Sequence, residues 1–171
     1  MKAVLISIQP KWCELIANGK KTVEVRKTKP KLDTPFKVYI YCTKSFKYNT
    51  PYSYKTWAGY GKVIGEFVCD KVFDICIEMS KPDDIQGYPF PCTGLTDKEI
   101  MQYLGNGKTG YGWHISDLVI YDKPKELNEF KSVSNYARKL RTEFFGKDPC
   151  CVNDYKLTRP PQSWCYVEEL G

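Results

Sequence analysis

The opening 26 residues constrain the fold of this chain more than any other segment. The apolar run from Ala3 to Ile8 reads as a buried strand, and Pro10 suits the first turn of a helix, where its fixed φ is already helical. Leu15 and Ile16 give that helix its buried side, and Gly19 suits the left-handed residue that stops it. The pattern then switches to alternation: Val23 and Val25 point one way, Thr22, Glu24 and Arg26 the other. A carboxylate and a guanidinium therefore share one strand face, with Lys21 at its mouth. A strand that only had to pack would not need three ionisable groups there.

The spacing G-x-K-x-x-E-x-R, formed by Gly19, Lys21, Glu24 and Arg26 after a strand and a short helix, resembles the motif of the ASCH domain family. The likeness extends to the opening Leu5-Ile6-Ser7-Ile8-Gln9-Pro10 and to the strand Gly61-Lys62-Val63-Ile64-Gly65-Glu66-Phe67. The ending Arg159-Pro160-Pro161-Gln162-Ser163-Trp164-Cys165-Tyr166-Val167 looks like the closing strand of small bacterial and prophage members. Residues 44–60 and 78–94 read as loops particular to this chain. The resemblance implies an α+β, PUA-like fold: a small mixed or antiparallel β-barrel with flanking helices, related to modules that bind RNA. It also implies a cleft where the motif strand meets the end of the first strand. That cleft would gather Ser7, Gln9, Lys11, Lys21, Glu24, Arg26, Trp57 and Ser163.

Length and composition agree with one domain spanning residues 1–171, large enough to bury a core. No apolar run reaches the roughly 18 residues of a membrane span. Met1-Lys2 leads straight into a strand rather than a signal peptide, so the expected location is cytoplasmic. Eight cysteines suggest reduced thiols in that setting, with Cys42 and Cys69 placed as small hydrophobes in strands. Cys150-Cys151 with Cys165 lacks the two short-spaced pairs of a structural zinc site, so no metal and no cofactor is expected.

The net charge is +6, from 26 basic and 20 acidic residues, a modest excess compatible with a polyanionic partner. Its distribution is more telling. Lys20, Lys21, Arg26, Lys27, Lys29 and Lys31 crowd one stretch, followed by Lys44 and Lys47 among Phe46, Tyr48, Tyr52, Tyr54, Trp57 and Tyr60. Cations that track phosphates and rings that stack on bases are the means of a single-stranded nucleic acid groove. Lys-rich loops are equally ordinary solvated surface, and tyrosine-rich loops often cover a barrel end.

Further along, Phe36 to Thr43 alternates as a strand, and Lys62 to Phe73 is a long β-rich run with a bend or bulge at Gly65. Thr96-Asp97-Lys98-Glu99 is a capping box opening a helix from Asp97 to Leu104, ended by Gly105. Gly110 to Tyr121 reads as a strand closed by Pro124, Asn128 to Phe130 as a short extended piece, Ser134 to Phe145 as a helix, and Ser163 to Glu168 as the final strand. His114 and Ser116 share one face of their strand, with Trp113, Ile115 and Asp117 on the other. A single histidine there is a ligand-binding candidate or a hydrogen-bonded structural residue. Trp12 and Trp164 read as core anchors.

The motif chemistry admits three readings. As a binding site for RNA or a nucleotide-like ligand, Arg26 offers a forked donor, Lys21 a point charge, and Glu24 an acceptor for an exocyclic amine or ring N–H. As structure alone, Glu24 and Arg26 pair along one strand and leave Lys21 solvated. As an enzyme, Lys21 and Glu24 would be catalytic. One bacterial branch of the resembled family removes an acetyl group from acetylated cytidine with a lysine, a threonine nucleophile and a later glutamate. Here Glu24 stands where that threonine stands, and Glu66 is the available later glutamate. RNA cleavage by Lys21, Glu24 and His114 is the other enzymatic option. In a fourth role, as a protein-interaction or regulatory domain, the Tyr/Trp-rich loop would dock a partner.

Overall fold

The computed structural model describes residues 1–44, 59–75, 90–105, 108–133 and 156–170. The sequence-derived helix from Ser134 to Phe145, the aromatic residues from Phe46 to Trp57, and Cys150-Cys151 lie outside the described residues.

The first strand, β1 (Lys2–Ile8), is apolar because both of its faces are covered. Val4, Ile6 and Ile8 enter one core cluster, while Ala3 and Leu5 enter another. Gln9 precedes α1 (Pro10–Ala17) in an extended conformation without a side-chain cap, and Gly19 follows the helix at φ +67°, as the expected left-handed stop requires. Next come β2 (Val23–Arg26) and β3 (Phe36–Cys42). β3 lies parallel to β1, with α1 and β2 filling the long crossover that a parallel pair needs. The alternation read in β3 is present in space: Phe36, Val38, Ile40 and Cys42 pack on one side, Tyr39 and Tyr41 on the other.

β4 (Val63–Cys69) runs antiparallel to β3, and β5 (Val72–Ile75) follows after a break at Asp70-Lys71. Gly65 sits at a register shift between β4 and the strand over Ser116–Lys125, and a Cβ there would clash with the Val119 carbonyl. The one-turn helix α2 (Phe90–Thr93) precedes α3 (Asp97–Leu104), whose capping box joins Thr96 and Glu99 reciprocally. β6 (Gly110–His114), β7 (Ser116–Lys125) and β8 (Trp164–Glu168) complete the elements.

The strands form two sheets, ordered β7-β4-β3-β1-β8 and β2-β6-β5. The mixed α+β class is as expected, but the sheet does not close into a barrel. The chain passes between the sheets at two corners, Asp70-Lys71 and Ile115, so the β4/β5 and β6/β7 strands form one bent ribbon. The remaining gap lies between β2 and the start of β8, where among the described residues no backbone ladder forms. β2 has only four residues, and Pro30 soon removes a donor from the chain beyond it. Side chains bridge the gap instead. Trp164 Nε1 donates to Thr28 Oγ1 at 3.0 Å, and the Lys31 amide donates to the Tyr166 hydroxyl at 2.7 Å.

Two smaller expectations also change. β7 runs through Pro124 to Lys125, because an edge strand tolerates a residue with no N–H to share. Leu127–Glu129 forms a 3₁₀ turn rather than an extended piece, with the Glu129 carboxylate accepting from the Glu126 amide. Among the described residues, no helix is long and apolar enough to cross a membrane.

Candidate functional site

β2 presents Glu24 and Arg26 toward the end of β1, as its alternation requires, and Gly19 returns the chain so that Lys21 meets them. All three are buried, at 2 % exposure for Lys21, 6 % for Glu24 and 7 % for Arg26. Lys21 is therefore neither at the mouth of the strand nor solvated. Its ammonium has three protons and three acceptors: the Thr93 carbonyl at 2.6 Å, the Val23 carbonyl at 2.8 Å and Glu24 Oε2 at 3.2 Å. The Thr93 carbonyl reaches Lys21 because Gly94, at φ +67°, turns the α2 segment closely past Leu15 and Trp12.

Glu24 Oε1 accepts from Arg26 Nη2 at 2.9 Å, so both carboxylate oxygens are engaged by cations. Arg26 Nη2 also donates to the Ser7 carbonyl at 2.6 Å, and Nη1 faces Ser163 Oγ at 3.4 Å. Ser7 Oγ donates to the Pro161 carbonyl at 2.6 Å, which straps the 160–163 segment to the end of β1. Only two buried side-chain nitrogens among the described residues lack a partner, Arg26 Nε and Trp113 Nε1. Trp113 lies in the core against Phe36 and Trp164, whereas Arg26 lines a cavity.

That cavity has a volume of about 730 Å³. Of the residues expected at a site, it brings together Ser7, Gln9, Lys21, Glu24, Arg26 and Ser163. Lys11 is not among its lining residues; its ammonium sits 4.3 Å from the centre of the Trp12 ring. His114 is also absent from the lining. It stands across from Val23 at a sheet corner, with Nδ1 2.6 Å from Asp70 Oδ1. That hydrogen bond holds the Asp70 carboxyl below the usual aspartate range. Trp57 lies outside the described residues. Glu66 is on β4, paired with Lys37 at 3.2 Å and accepting from the Tyr121 hydroxyl, and does not line the cavity.

Sequence reasoning missed other lining residues. Trp12, read as a core anchor, forms a wall of the cavity and packs partly against the core. Glu99, Gln102 and Tyr103 of α3 line it too. Their i, i+3, i+4 spacing beside buried Ile100 and Leu104 was a readable signal for a second polar helix face. Burial pushes the Tyr103 phenol above its ordinary value, with the Arg26 charge pulling the other way. The phenol therefore stays a neutral donor and acceptor. One carboxylate between two cations leaves the triplet at +1, and Glu99 brings the formal charge of the cavity's lining side chains to zero.

A family model described as the ASCH domain matches residues 6–88. Solved structures of similar fold come from Zymomonas mobilis. The crystal structure of an ASCH protein from that organism has a TM-score of 0.60 at 17 % identity, covering 98 % of this chain and 88 % of that one. A tyrosine-to-phenylalanine mutant of it also scores 0.60 at 17 % identity, covering 99 % and 92 %. A serine-to-alanine mutant scores 0.59 at 17 % identity, covering 98 % and 89 %. At this identity the likeness speaks for the fold alone. No curated protein matches the chain.

Proposed function

We propose that this chain, which carries an ASCH domain over residues 6–88, binds RNA or a nucleotide-like ligand in the cavity built on Lys21, Glu24 and Arg26. The observation that carries the reading is Arg26, a guanidinium with an unpartnered Nε that lines a cavity of about 730 Å³. A buried N–H without an acceptor costs on the order of 1–3 kcal/mol, and a ligand oxygen returns that energy on binding. A pocket of this volume suits a single nucleotide rather than a duplex. Trp12 and Tyr103, both lining the cavity, supply faces for a base. RNA, the partner expected from the motif resemblance, agrees with the chain's net charge of +6.

The division of labour differs from the simplest reading of the motif. Lys21 and Glu24 spend their hydrogen bonds on each other, on Arg26 and on backbone carbonyls, so their work is to hold Arg26. Hydrolysis fits this geometry less well than binding does. A lysine with all three protons engaged is a poor base, Glu66 is on another part of the sheet, and His114 does not line the cavity.

The test is fluorescence anisotropy of short labelled single-stranded RNA with wild type and Arg26→Ala at two salt concentrations, with urea unfolding as the control for fold. The expected result is salt-dependent binding, weakened at least about tenfold in the variant, as for loss of a charge-assisted contact. Equal affinity in a folded variant would remove Arg26 from the interface.

A further inference from the structure

We propose that the seam between β2 and β8 continues the cavity outward as a phosphate track for single-stranded RNA. The ligand is then a strand, with one nucleotide in the pocket and its neighbours on Lys27, Lys29, Lys31 and Lys2. This rests on the reading that the cavity takes a nucleotide.

The seam begins at the pocket itself, where Arg26 meets Ser163. One step further Thr28 meets Trp164, and beyond that Lys31 meets Tyr166. From Ser163 to Tyr166 is about 10 Å at the rise of a β-strand. That length suits about three stacked nucleotides at about 3.4 Å each. Lys27, Thr28, Lys29 and Lys31, on the segment that follows β2, and Lys2 at the start of β1 are all exposed.

Three of the lysines are placed on aromatic rings. Lys27 lies 5.3 Å over the ring of Tyr103, which also lines the pocket, so track and cavity share a residue. Lys29 lies 4.8 Å over Tyr111, and Lys2 lies 3.9 Å over Tyr166. An aromatic face attracts an ammonium but has no net charge, so it fixes the cation's position and leaves its field intact. A carboxylate partner would have cancelled that field. None of these four lysines forms an ion pair with a described carboxylate, whereas Lys37 and Lys62 both do. The rings are held in turn: Trp164 packs edge-on against Tyr166 at 5.3 Å, and the Tyr166 hydroxyl accepts from the Lys31 amide. The carboxylates Asp33 and Glu168 follow Lys31 and face Lys2 in register, which marks the far end. A free nucleotide would need none of this; a polyanionic strand uses all of it.

The experiment titrates a random-sequence single-stranded RNA hexamer, and separately each of the four nucleoside 5′-monophosphates, into two proteins by calorimetry at two salt concentrations. The proteins are wild type and the surface variant Lys27→Gln/Lys29→Gln/Lys31→Gln. The expected result is that the hexamer binds wild type at least about tenfold tighter than any monophosphate. In the variant its log–log salt slope falls by about 2, at about 0.7 per lost phosphate contact, while monophosphate binding is unchanged. A variant that binds the hexamer with wild-type affinity and slope overturns the track and leaves the pocket reading standing. So does a hexamer that binds no tighter than a monophosphate. If neither ligand binds wild type, the pocket reading itself falls, and the track with it.

Discussion

Two ionic triplets stand on neighbouring parts of this fold, Lys21–Glu24–Arg26 beside β1 and Lys37–Glu66–Glu169 on the β3–β4 face. The first has two cations around one anion; the second has one cation between two anions, at 3.2 and 3.4 Å. The first is nearly sealed from water, while the members of the second are 21–28 % exposed. The second also ties off Tyr121, whose phenol is pushed up by burial and by the Glu66 it donates to. None of its members lines the cavity at Arg26. The difference is instructive because burial sets what each triplet costs. Partly wet ions lose little solvation and gain little. Sealed ions lose several kcal/mol each and stay only where geometry supplies every hydrogen bond. Every side-chain nitrogen and oxygen of the sealed triplet has a partner except Arg26 Nε, and Arg26 lines the cavity.

The largest expected contrast comes from removing the anion of each triplet. Glu24→Gln leaves two buried cations facing each other and is expected to cost about 3–5 kcal/mol in urea unfolding. Glu66→Gln is expected to cost about 1 kcal/mol or less. Equal losses in the two variants would end the distinction between them.

A middle-sized effect sharpens the role of α3. Thr96→Ala removes half of the capping box and is expected to cost about 1 kcal/mol, read again by urea. Because α3 carries Gln102 and Tyr103, RNA affinity should weaken with it, by less than in Arg26→Ala. A stability loss with no change in affinity would detach that helix from the site.

The smallest effect is the pH signature of the wet triplet. Burial by itself lowers the Lys37 ammonium, yet Glu66 and Glu169 outweigh it and raise the group above its ordinary 10.5. A raised folded value means the contribution is fully present below 10.5 and is lost as pH rises through the folded value. The stability difference between wild type and Lys37→Met should therefore be flat below 10.5, under about 1 kcal/mol, and shrink above it. A difference that grows on the alkaline side would contradict the pairing.

Much of this was legible in the sequence where local rules decide the outcome. The period-2 pattern of Phe36–Cys42, the box at Thr96 and Glu99, the stop at Gly19 and the irregularity at Gly65 each depend on nearby residues, and the structure carries all four. Glu24 and Arg26 share a face for the same reason. What escaped depends on partners far away in the chain. The burial of Lys21 needs the carbonyl of Thr93, 72 residues on, and no side-chain pattern announces a backbone acceptor. Whether the sheet closes depends on which edges meet, and short β2 meets β8 through Thr28, Trp164, Lys31 and Tyr166 rather than through a ladder. Pro124 ends a central strand but not an edge one, and edge position is a property of the whole sheet. Trp12 serves core and cavity at once, so its core reading was incomplete.

The central claim, that a nucleotide of RNA sits against Arg26 between Trp12 and Tyr103, is tested most directly by photocrosslinking. Single-stranded RNA carrying 4-thiouridine is irradiated with the protein, and the crosslinked peptides are mapped by mass spectrometry. The predicted result is adducts on the peptides containing Trp12 and Tyr103, suppressed in Arg26→Ala. Adducts confined to the β7 edge or the Lys37 face, unchanged in that variant, would contradict it.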